Sequence, residues 1–259
     1  MNQTVQVVVA GLGEVGKPLL ELASRHYEVV GVDIAPAPHI EKAEVLHICY
    51  PFQIADFVGE TARYIELYKP GLTIINSTVS VGTTRAIAER TGACVVNSPV
   101  RGKHARMLED MGRYTKFVGA LYPAAGEAAA AHFVAMGLPT KVLSSPEATE
   151  LAKLTETTYF GVMIAWAQEV ERYCDQSGQS YEEVVSFYDE IKFFPPVKYF
   201  PGVIGGHCVM PNIRILTSKY TDSVMIDAIQ ASNRMKSERE AQKRGVQSEG
   251  GPALVAGAA

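Results

Sequence analysis

The sequence predicts an α/β chain in which a doubly wound parallel sheet is followed by an all-α part built on one long helix. Three observations predict it. Short β-branched runs alternate with helical patterns over residues 1–145, a glycine-rich turn joins the first run to the first helix, and one helical pattern extends over Pro146–Ser177. Alternation of this kind is the mark of parallel strands joined by right-handed crossovers, with helices covering both faces of the sheet.

The strand candidates are Val5–Ala10, Tyr27–Val32, Val45–Cys49, Leu72–Ser77, Cys94–Asn97, Lys116–Gly119 and Lys141–Leu143. Most are apolar at successive positions, as expected of strands covered on both faces. Between them Lys17–Arg25, Gln53–Leu67, Thr83–Arg90 and Gly126–Met136 space their apolar residues as helices do. The segment Pro146–Ser177 has proline at its start and Gly178 just past its end, the positions helices favour for these residues. Within it Leu151, Leu154, Thr158, Val162, Ala165, Glu169 and Val170 recur at helical spacing. A helix of about 30 residues is roughly 45 Å long, more than one domain of this size needs. Its second face is therefore expected to lie against a second copy, making a homodimer. A helix over Tyr181–Phe193, a Pro- and Gly-rich loop over Phe194–Pro211 and helical patterns from Ile213 to Arg244 follow. The expected division is 1–145, 146–244 and a flexible tail at 245–259.

Composition excludes several classes. With 47% hydrophobic residues in 259, the chain can bury a core and is not of the disordered kind. Lys and Arg total 24 against 28 Asp and Glu, a net charge of -4 with no basic block, so neither nucleic acid nor an anionic membrane surface is an expected partner. No apolar run reaches the roughly 18–20 residues of a membrane span. The N-terminus lacks a basic segment and leads straight into a strand pattern, which predicts no signal peptide. Cys49, Cys94, Cys174 and Cys208 form no CxxC pair. That spacing offers no zinc site and suits free thiols in a reducing cytoplasm.

Gly11-Leu12-Gly13-Glu14-Val15-Gly16 fits GxGxxG and stands between a strand and a helix, the context of a Rossmann-type dinucleotide turn. Gly11 permits the turn, Gly13 lets the backbone approach a pyrophosphate, and Gly16 lets helix and strand pack closely. The unpaired amides of the helix start supply the anion site, and Pro18 fits there because those amides have no intrahelical acceptor. Asp33 stands 33 − 11 = 22 positions after the first glycine, at the end of the second strand. An acid there suits a ribose 2′-OH and repels a 2′-phosphate, so NAD is expected rather than NADP. Ile34, Tyr50, Pro51, Ser77 and Thr78, at the ends of the following strands, join the expected cofactor-binding set. Glu14 must point outward to be tolerated beside a pyrophosphate. The alternative is a turn that holds another nucleotide or none.

In PGVIGGHCVMP two glycines deliver His207 and Cys208 on a proline-flanked loop. A thiolate is a strong nucleophile towards an aldehyde, and a neighbouring imidazole can favour it. A buried packing cysteine is the plainer alternative. Arg101, Lys103, His104 and Arg106 form a cationic cluster on a loop expected after the fifth strand, where an anionic substrate could bind; a solvated charged loop is the alternative.

GLGEVGKPLLELA with Asp33, Asn76-Ser77-Thr78-Val79 followed by Gly82-Thr83-Thr84-Arg85, Glu150-Leu151-Ala152-Lys153-Leu154 and PGVIGGHCVMP occur in the order in which similar motifs occur in the UDP-glucose/GDP-mannose dehydrogenase family. The chain resembles that family over about residues 5–235. The resemblance implies that NAD oxidises an alcohol twice, with the aldehyde captured on the cysteine as a thiohemiacetal and water releasing the acid from a thioester. It implies Cys208 as nucleophile, Lys153 as the cation facing the developing oxyanion, Thr78 in proton transfer or water positioning, and the long helix as the dimer contact. Two departures bear on the last step. Four residues after the lysine the family has Asn and this chain has Thr157; four residues after the cysteine it has Asp and this chain has Asn212. An amide cannot take a proton as a carboxylate does. The family's Ser-Pro-Glu is Ser98-Pro99-Val100 here, closer in look to the substrate loop of 3-hydroxyacid dehydrogenases, which use a lysine on the first long interdomain helix as acid and base. Family members also continue into a further α/β domain beyond the cysteine loop. Three readings follow: a cytoplasmic NAD-dependent oxidoreductase of a small or anionic alcohol or aldehyde, using Cys208; a two-electron 3-hydroxyacid-type dehydrogenase using Lys153; and a non-catalytic NAD-binding subunit or sensor.

Overall fold

The computed structural model describes residues 4–34, 40–102, 104–191, 200–206 and 208–249. The chain divides into two compact units, residues 1–155 and 156–259, so the boundary falls inside the long helix. In the first unit the elements are β1 (Thr4–Ala10), α1 (Gly16–Ala23), β2 (Val29–Val32), β3 (Lys42–Ile48), α2 (Phe57–Tyr68), β4 (Leu72–Ile75), α3 (Thr83–Thr91), β5 (Val95–Asn97), α4 (Met107–Arg113), β6 (Lys116–Ala120), α5 (Pro123–Ala135) and β7 (Thr140–Leu143). The helix α6 (Pro146–Ser177) passes from this unit into the second.

The seven strands form one sheet in the order β2-β1-β3-β4-β5-β6-β7. Between β1 and β3 the winding changes direction, and the carboxyl ends of these two strands open the crevice where such sheets take their ligands. Successive residues of β1 go to opposite layers. Val7 and Val9 pack with Leu19, Leu22, Met107, Met111 and Phe133 beneath α1, α4 and α5. Val8 and Ala10 pack with Phe57, Ile65, Tyr68 and Ile87 beneath α2 and α3. Two buried layers on one sheet explain the continuous apolar runs.

The sheet departs from the parallel expectation at one place. β5 and β6 are antiparallel, pairing Val96 with Ala120 and Asn97 with Gly119, while β6 and β7 are parallel to each other. The connection from Ser98 to Thr115 holds a 3-10 turn (His104–Arg106) and α4 and returns on the same edge, which reverses the strand. Apolar patterning reads burial and not direction, so the reversal left no mark on the run. It places the first residue of β6, Lys116, beside the carboxyl ends of β4 and β5.

In the second unit α6 continues to Ser177 as expected. The next helix is shorter than the expected Tyr181–Phe193: α7 spans Tyr181–Ser186 and a 3-10 turn carries the chain to Glu190. The pattern from Ile213 to Arg244 resolves into α8 (Val209–Thr217) and α9 (Val224–Glu249), so helix continues past the expected start of the tail. Lys236 of α9 is 6% exposed and donates to both carboxylate oxygens of Glu171 on α6, at 2.8 and 2.7 Å. Val170, Cys174 and Val185 close a small core between α6 and α7. Among the described residues no helix is long and apolar enough to cross a membrane.

A buried histidine pair sits in the layer beneath α5. His47 Nε2 and His132 Nε2 are 2.9 Å apart, and the His132 ring stacks on Tyr27 at 4.9 Å between centroids. Burial pushes His132 down to about 4 and His47 well below its ordinary value, where the neighbouring His132 and Lys116 add to the effect. Both are therefore neutral when folded, and stability present above about pH 6.5 is lost as the pH falls towards 4. Denaturant titrations at pH 7 and pH 5 should differ by about 2 kcal/mol from His132 alone. His132→Gln, which keeps an acceptor without the titration, should remove that share of the dependence and leave the share that comes from His47.

Candidate functional site

The turn after β1 has the geometry its glycines predict. Gly11 adopts φ +89°, and a Cβ there would lie 2.6 Å from the Tyr50 nitrogen. A Cβ on Gly16 would lie 1.7 Å from the Gly11 carbonyl oxygen, so the first residue of α1 sits directly against the end of β1. A Cβ on Gly13 would meet nothing within 4 Å. Its outer side is open, as the approach of a ligand to the backbone requires. Pro18 lies in the first turn of α1, where amides have no intrahelical acceptor. Glu14 is exposed, as expected, and Val15 is half-buried.

Asp33 stands at the end of β2, exposed, and braces the turn: Oδ2 accepts from the Leu12 amide at 3.2 Å and Oδ1 from the Ile34 amide at 3.0 Å. Ile34 is fully exposed beside it. After β3, the Tyr50 ring is packed against Phe57 and Tyr64, and Pro51 is exposed. The Tyr50 hydroxyl donates to Thr61 Oγ1 at 2.6 Å, because Thr61 gives its own proton to the Phe57 carbonyl. Burial pushes this phenol up. Ser77 is 7% exposed and its hydroxyl donates to the Tyr50 carbonyl at 2.6 Å. Its side chain holds the turn after β3. Thr78, the next residue, is half-buried after the end of β4.

Glu150 carries no role in the sequence reading, and the structure gives it one. It is 1% exposed and caps the start of α3, accepting from the Gly82 amide at 2.6 Å, the Thr84 amide at 2.9 Å and the Thr84 hydroxyl at 2.6 Å. Burial pushes its carboxyl up, against the hydrogen bonds from Thr84 and Gly82. This cap fixes the first turns of α6 to the segment that follows Thr78. Gly119 of β6 allows the same approach, since a Cβ there would lie 2.4 Å from the Ser145 carbonyl oxygen. Lys153, half-buried, lies three residues beyond Glu150, about one turn along the same side of α6. The signal was available as a carboxylate one turn ahead of a lysine.

In the second unit the cysteine loop is held at several points. Gln168 Nε2 of α6 donates to the Gly202 carbonyl at 2.7 Å. Asn233 of α9 takes the Ile204 amide on Oδ1 at 2.7 Å and donates to the Ile204 carbonyl at 3.0 Å. Neither residue was legible as part of the site, because both lie in helices far from the loop in sequence. Cys208 is exposed, is not disulfide-bonded and stands at the N-cap of α8, its carbonyl accepting from the Asn212 amide at 3.1 Å. Asn212 is 6% exposed and its side-chain nitrogen donates to Thr157 Oγ1 at 3.0 Å. The two departures from the family pattern are therefore partners. His207 lies outside the described residues.

The cationic cluster takes another form than the expected loop. His104–Arg106 is a 3-10 turn leading into α4, and Arg106 pairs with buried Asp110 at 3.6 Å. The Arg101 guanidinium lies over the rings of Tyr114, at 5.3 Å, and Phe117, at 5.6 Å. Lys103 lies outside the described residues. Among the described residues no group of His, Cys, Asp and Glu could hold a metal ion.

Residues 147–236 match the central domain of the UDP-glucose/GDP-mannose dehydrogenase family. An NDP-N-acetyl-D-galactosaminuronic acid dehydrogenase of Ralstonia nicotianae is 25% identical over 78% of the chain and 62% of its own length. A UDP-N-acetyl-D-mannosamine dehydrogenase of Methanococcus vannielii is 24% identical over 88% of the chain and 65% of its own length. The chain is similar to these dehydrogenases over most of its own length. It spans 62% and 65% of the length of these two. Its fold matches the structure of a UDP-D-ManNAc dehydrogenase from Pyrococcus horikoshii with a TM-score of 0.77 and 22% identity, over 94% of the chain and 71% of that protein. A 3-hydroxyisobutyrate dehydrogenase of Mycobacterium tuberculosis shares the fold at TM-score 0.61 and 16% identity, over 97% of the chain and 90% of that protein.

The Glu150 cap has a measurable consequence. Glu150→Gln exchanges a three-fold acceptor for a group that turns a donor towards backbone amides. Denaturant unfolding should show a loss of about 2–3 kcal/mol.

Proposed function

We infer that the chain is an NAD-dependent oxidoreductase acting on a CH–OH group of a small or anionic substrate. The observation that carries the inference is the turn at Gly11–Gly16, closed on its inner side and open at Gly13, at the point where the sheet changes winding. The relatives are nucleotide-sugar dehydrogenases, which supports the reading. In it Gly11, Leu12, Gly13 and the first amides of α1 hold the pyrophosphate, and Asp33 and Ile34 face the adenosine half. Tyr50, Pro51 and Thr78 line the strand ends; Ser77 acts by setting the turn at Tyr50. The cofactor supplies the hydride acceptor when bound.

Cys208 is read as the nucleophile towards the aldehyde. Its thiolate sulfur forms a bond to the carbonyl carbon, and the carbonyl electron pair moves to oxygen. Lys153 is read as the cation that meets this developing charge, a role that is worth several kcal/mol in a dry site. Asn212 is buried against Thr157 and offers an amide where a water-activating group would need a basic atom. This favours a reaction that ends after one hydride, and the same observation supports a 3-hydroxyacid-type reaction run from Lys153. Product stoichiometry separates one NADH per substrate from two. Four cysteines without disulfides accord with a cytoplasmic setting.

Two substitutions in the turn test the cofactor reading. Gly13→Ala should leave stability within about 0.5 kcal/mol, since the position is open, and should weaken NADH binding at least about tenfold in a fluorescence titration. Gly16→Ala should cost several kcal/mol of stability, because its Cβ would collide with the Gly11 carbonyl. Unchanged NADH affinity in Gly13→Ala overturns the assignment, and Cys208→Ser with full turnover removes the covalent step.

A homodimer through α6 accompanies this reading. Tyr159, Trp166 and Tyr173 recur every seven residues and are 52%, 55% and 52% exposed, an aromatic stripe along one side of the helix. Large exposed aromatics in a row mark an interaction surface. Sedimentation should show a dimer for the unaltered chain and a monomer for Trp166→Glu.

A further inference from the structure

Lys116 is the first residue of β6 and is 5% exposed. Because β6 runs against β5, its side chain reaches the segments that follow β4 and β5. Its Nζ donates to the Ser98 carbonyl at 2.7 Å and to Asn76 Oδ1 at 3.4 Å, and lies 4.8 Å from the centroid of the Phe133 ring. Among the described residues it makes no ion pair. Asn76, itself 1% exposed, donates from its side-chain nitrogen to the Ile74 carbonyl at 3.1 Å and to His47 Nδ1 at 3.0 Å. That bond leaves the His47 proton on Nε2, which faces His132 Nε2 at 2.9 Å. The Asn76 carbonyl accepts from the Val100 amide at 3.1 Å. One buried amine thus orients an amide, which fixes a histidine tautomer, and it joins the turn after β4 to the turn after β5.

We propose that Lys116 is the positioning residue of the ligand edge: its side-chain nitrogen sets the spacing between the turn after β4, which carries Thr78, and the turn after β5, which carries Arg101. The proposal rests on the reading of this edge as the cofactor and substrate site. The titratable groups that face the amine are Cys49 after β3, Lys153 on α6 and His47 on β3. Burial brings Lys116 down to about 7, the Cys49 thiol opposes this, and the Lys153 cation adds to it. A state in which the two turns part and the amine meets water regains the ordinary lysine value near 10.4. Parting therefore takes up a proton above about pH 7. The closed arrangement gains on the parted one by about tenfold per pH unit from there to about pH 10 and is insensitive to pH below 7.

Amide hydrogen exchange on the full chain tests this. The Ser98 amide, bonded to the Ile75 carbonyl at 2.9 Å, and the Val100 amide report the two turns. After correction for intrinsic rates, their protection should rise roughly ten- to hundredfold between pH 7 and pH 9, while Val8 and Val9 in β1 do not follow. Lys116→Met and Lys116→Arg, one neutral and one permanently charged, should both abolish the slope. A slope that persists in either variant, or flat protection in the unaltered chain, overturns the proposal; if Lys116→Met does not fold, Lys116→Arg decides. NADH affinity should tighten several-fold over the same pH range in the unaltered chain only. A protection slope with no NADH uptake at any pH ends the cofactor reading and leaves the tie between the turns standing.

Discussion

The contact of Gly16 with the Gly11 carbonyl is the constraint on which the rest of the first unit depends. No side chain fits there, so α1 starts against the end of β1 and its axis is set by backbone alone. That placement turns the unpaired amides of the helix start towards the crevice between β1 and β3. Gly11 in turn presses on Tyr50, so the end of β3 is positioned by the same turn, and Ser77 carries the positioning on to the end of β4. Three strand ends are tied in series by contacts that leave Gly13 open. A turn built only for compactness would not need the open side.

The reversal of β6 gives the edge its second layer of control. In an all-parallel sheet the first residue of a strand lies at the end of the sheet opposite the ligand crevice. Here the antiparallel pairing with β5 brings a lysine to the crevice side, where its neighbours are a carbonyl, an amide and an aromatic ring. A lysine in that setting has only neutral partners, so burial favours its uncharged form. Its presence is hard to explain as packing, because an apolar residue would fill the space more cheaply. Glu150 acts in the same way from α6: it too is buried and unpaired with any cation among the bonds that hold it, and it too joins a helix start to a strand end.

Much of this was legible in the sequence because it depends on local rules. Strand and helix positions follow from periodicity, the GxGxxG turn from its spacing, and the extent of α6 from Pro146 and Gly178, and each stands within a few residues of its expected place. What was not legible depends on pairings between distant residues. The direction of β6 is decided by a connection whose helix carries Met107 and Met111 among charged residues, and a charged stretch reads as a loop. The grip of Asn233 on Ile204 spans 29 positions, and that of Gln168 on Gly202 spans 34. A single amide in a helix carries no sign of its acceptor. Ser77 was legible as a strand-end hydroxyl but not as one already committed to a backbone carbonyl.

The pairing of Asn212 with Thr157 changes how the two departures from the family pattern weigh. Taken one at a time, each is the loss of a functional group. Taken together, they are a matched donor and acceptor, with the amide now at position 212 and the oxygen at position 157. A carboxylate placed at 212 alone would be buried one turn below the cysteine and would need the threonine to reverse its role from acceptor to donor. The present pair is neutral, so it keeps the helix start that carries Cys208 in place without adding charge near the sulfur. A neutral pair here holds the helix start and gives water no base. If Cys208 is the nucleophile, as proposed, this pair leaves capture of a carbonyl by the thiol possible and supplies no base for hydrolysis of what is captured, two steps that a carboxylate at this position would couple.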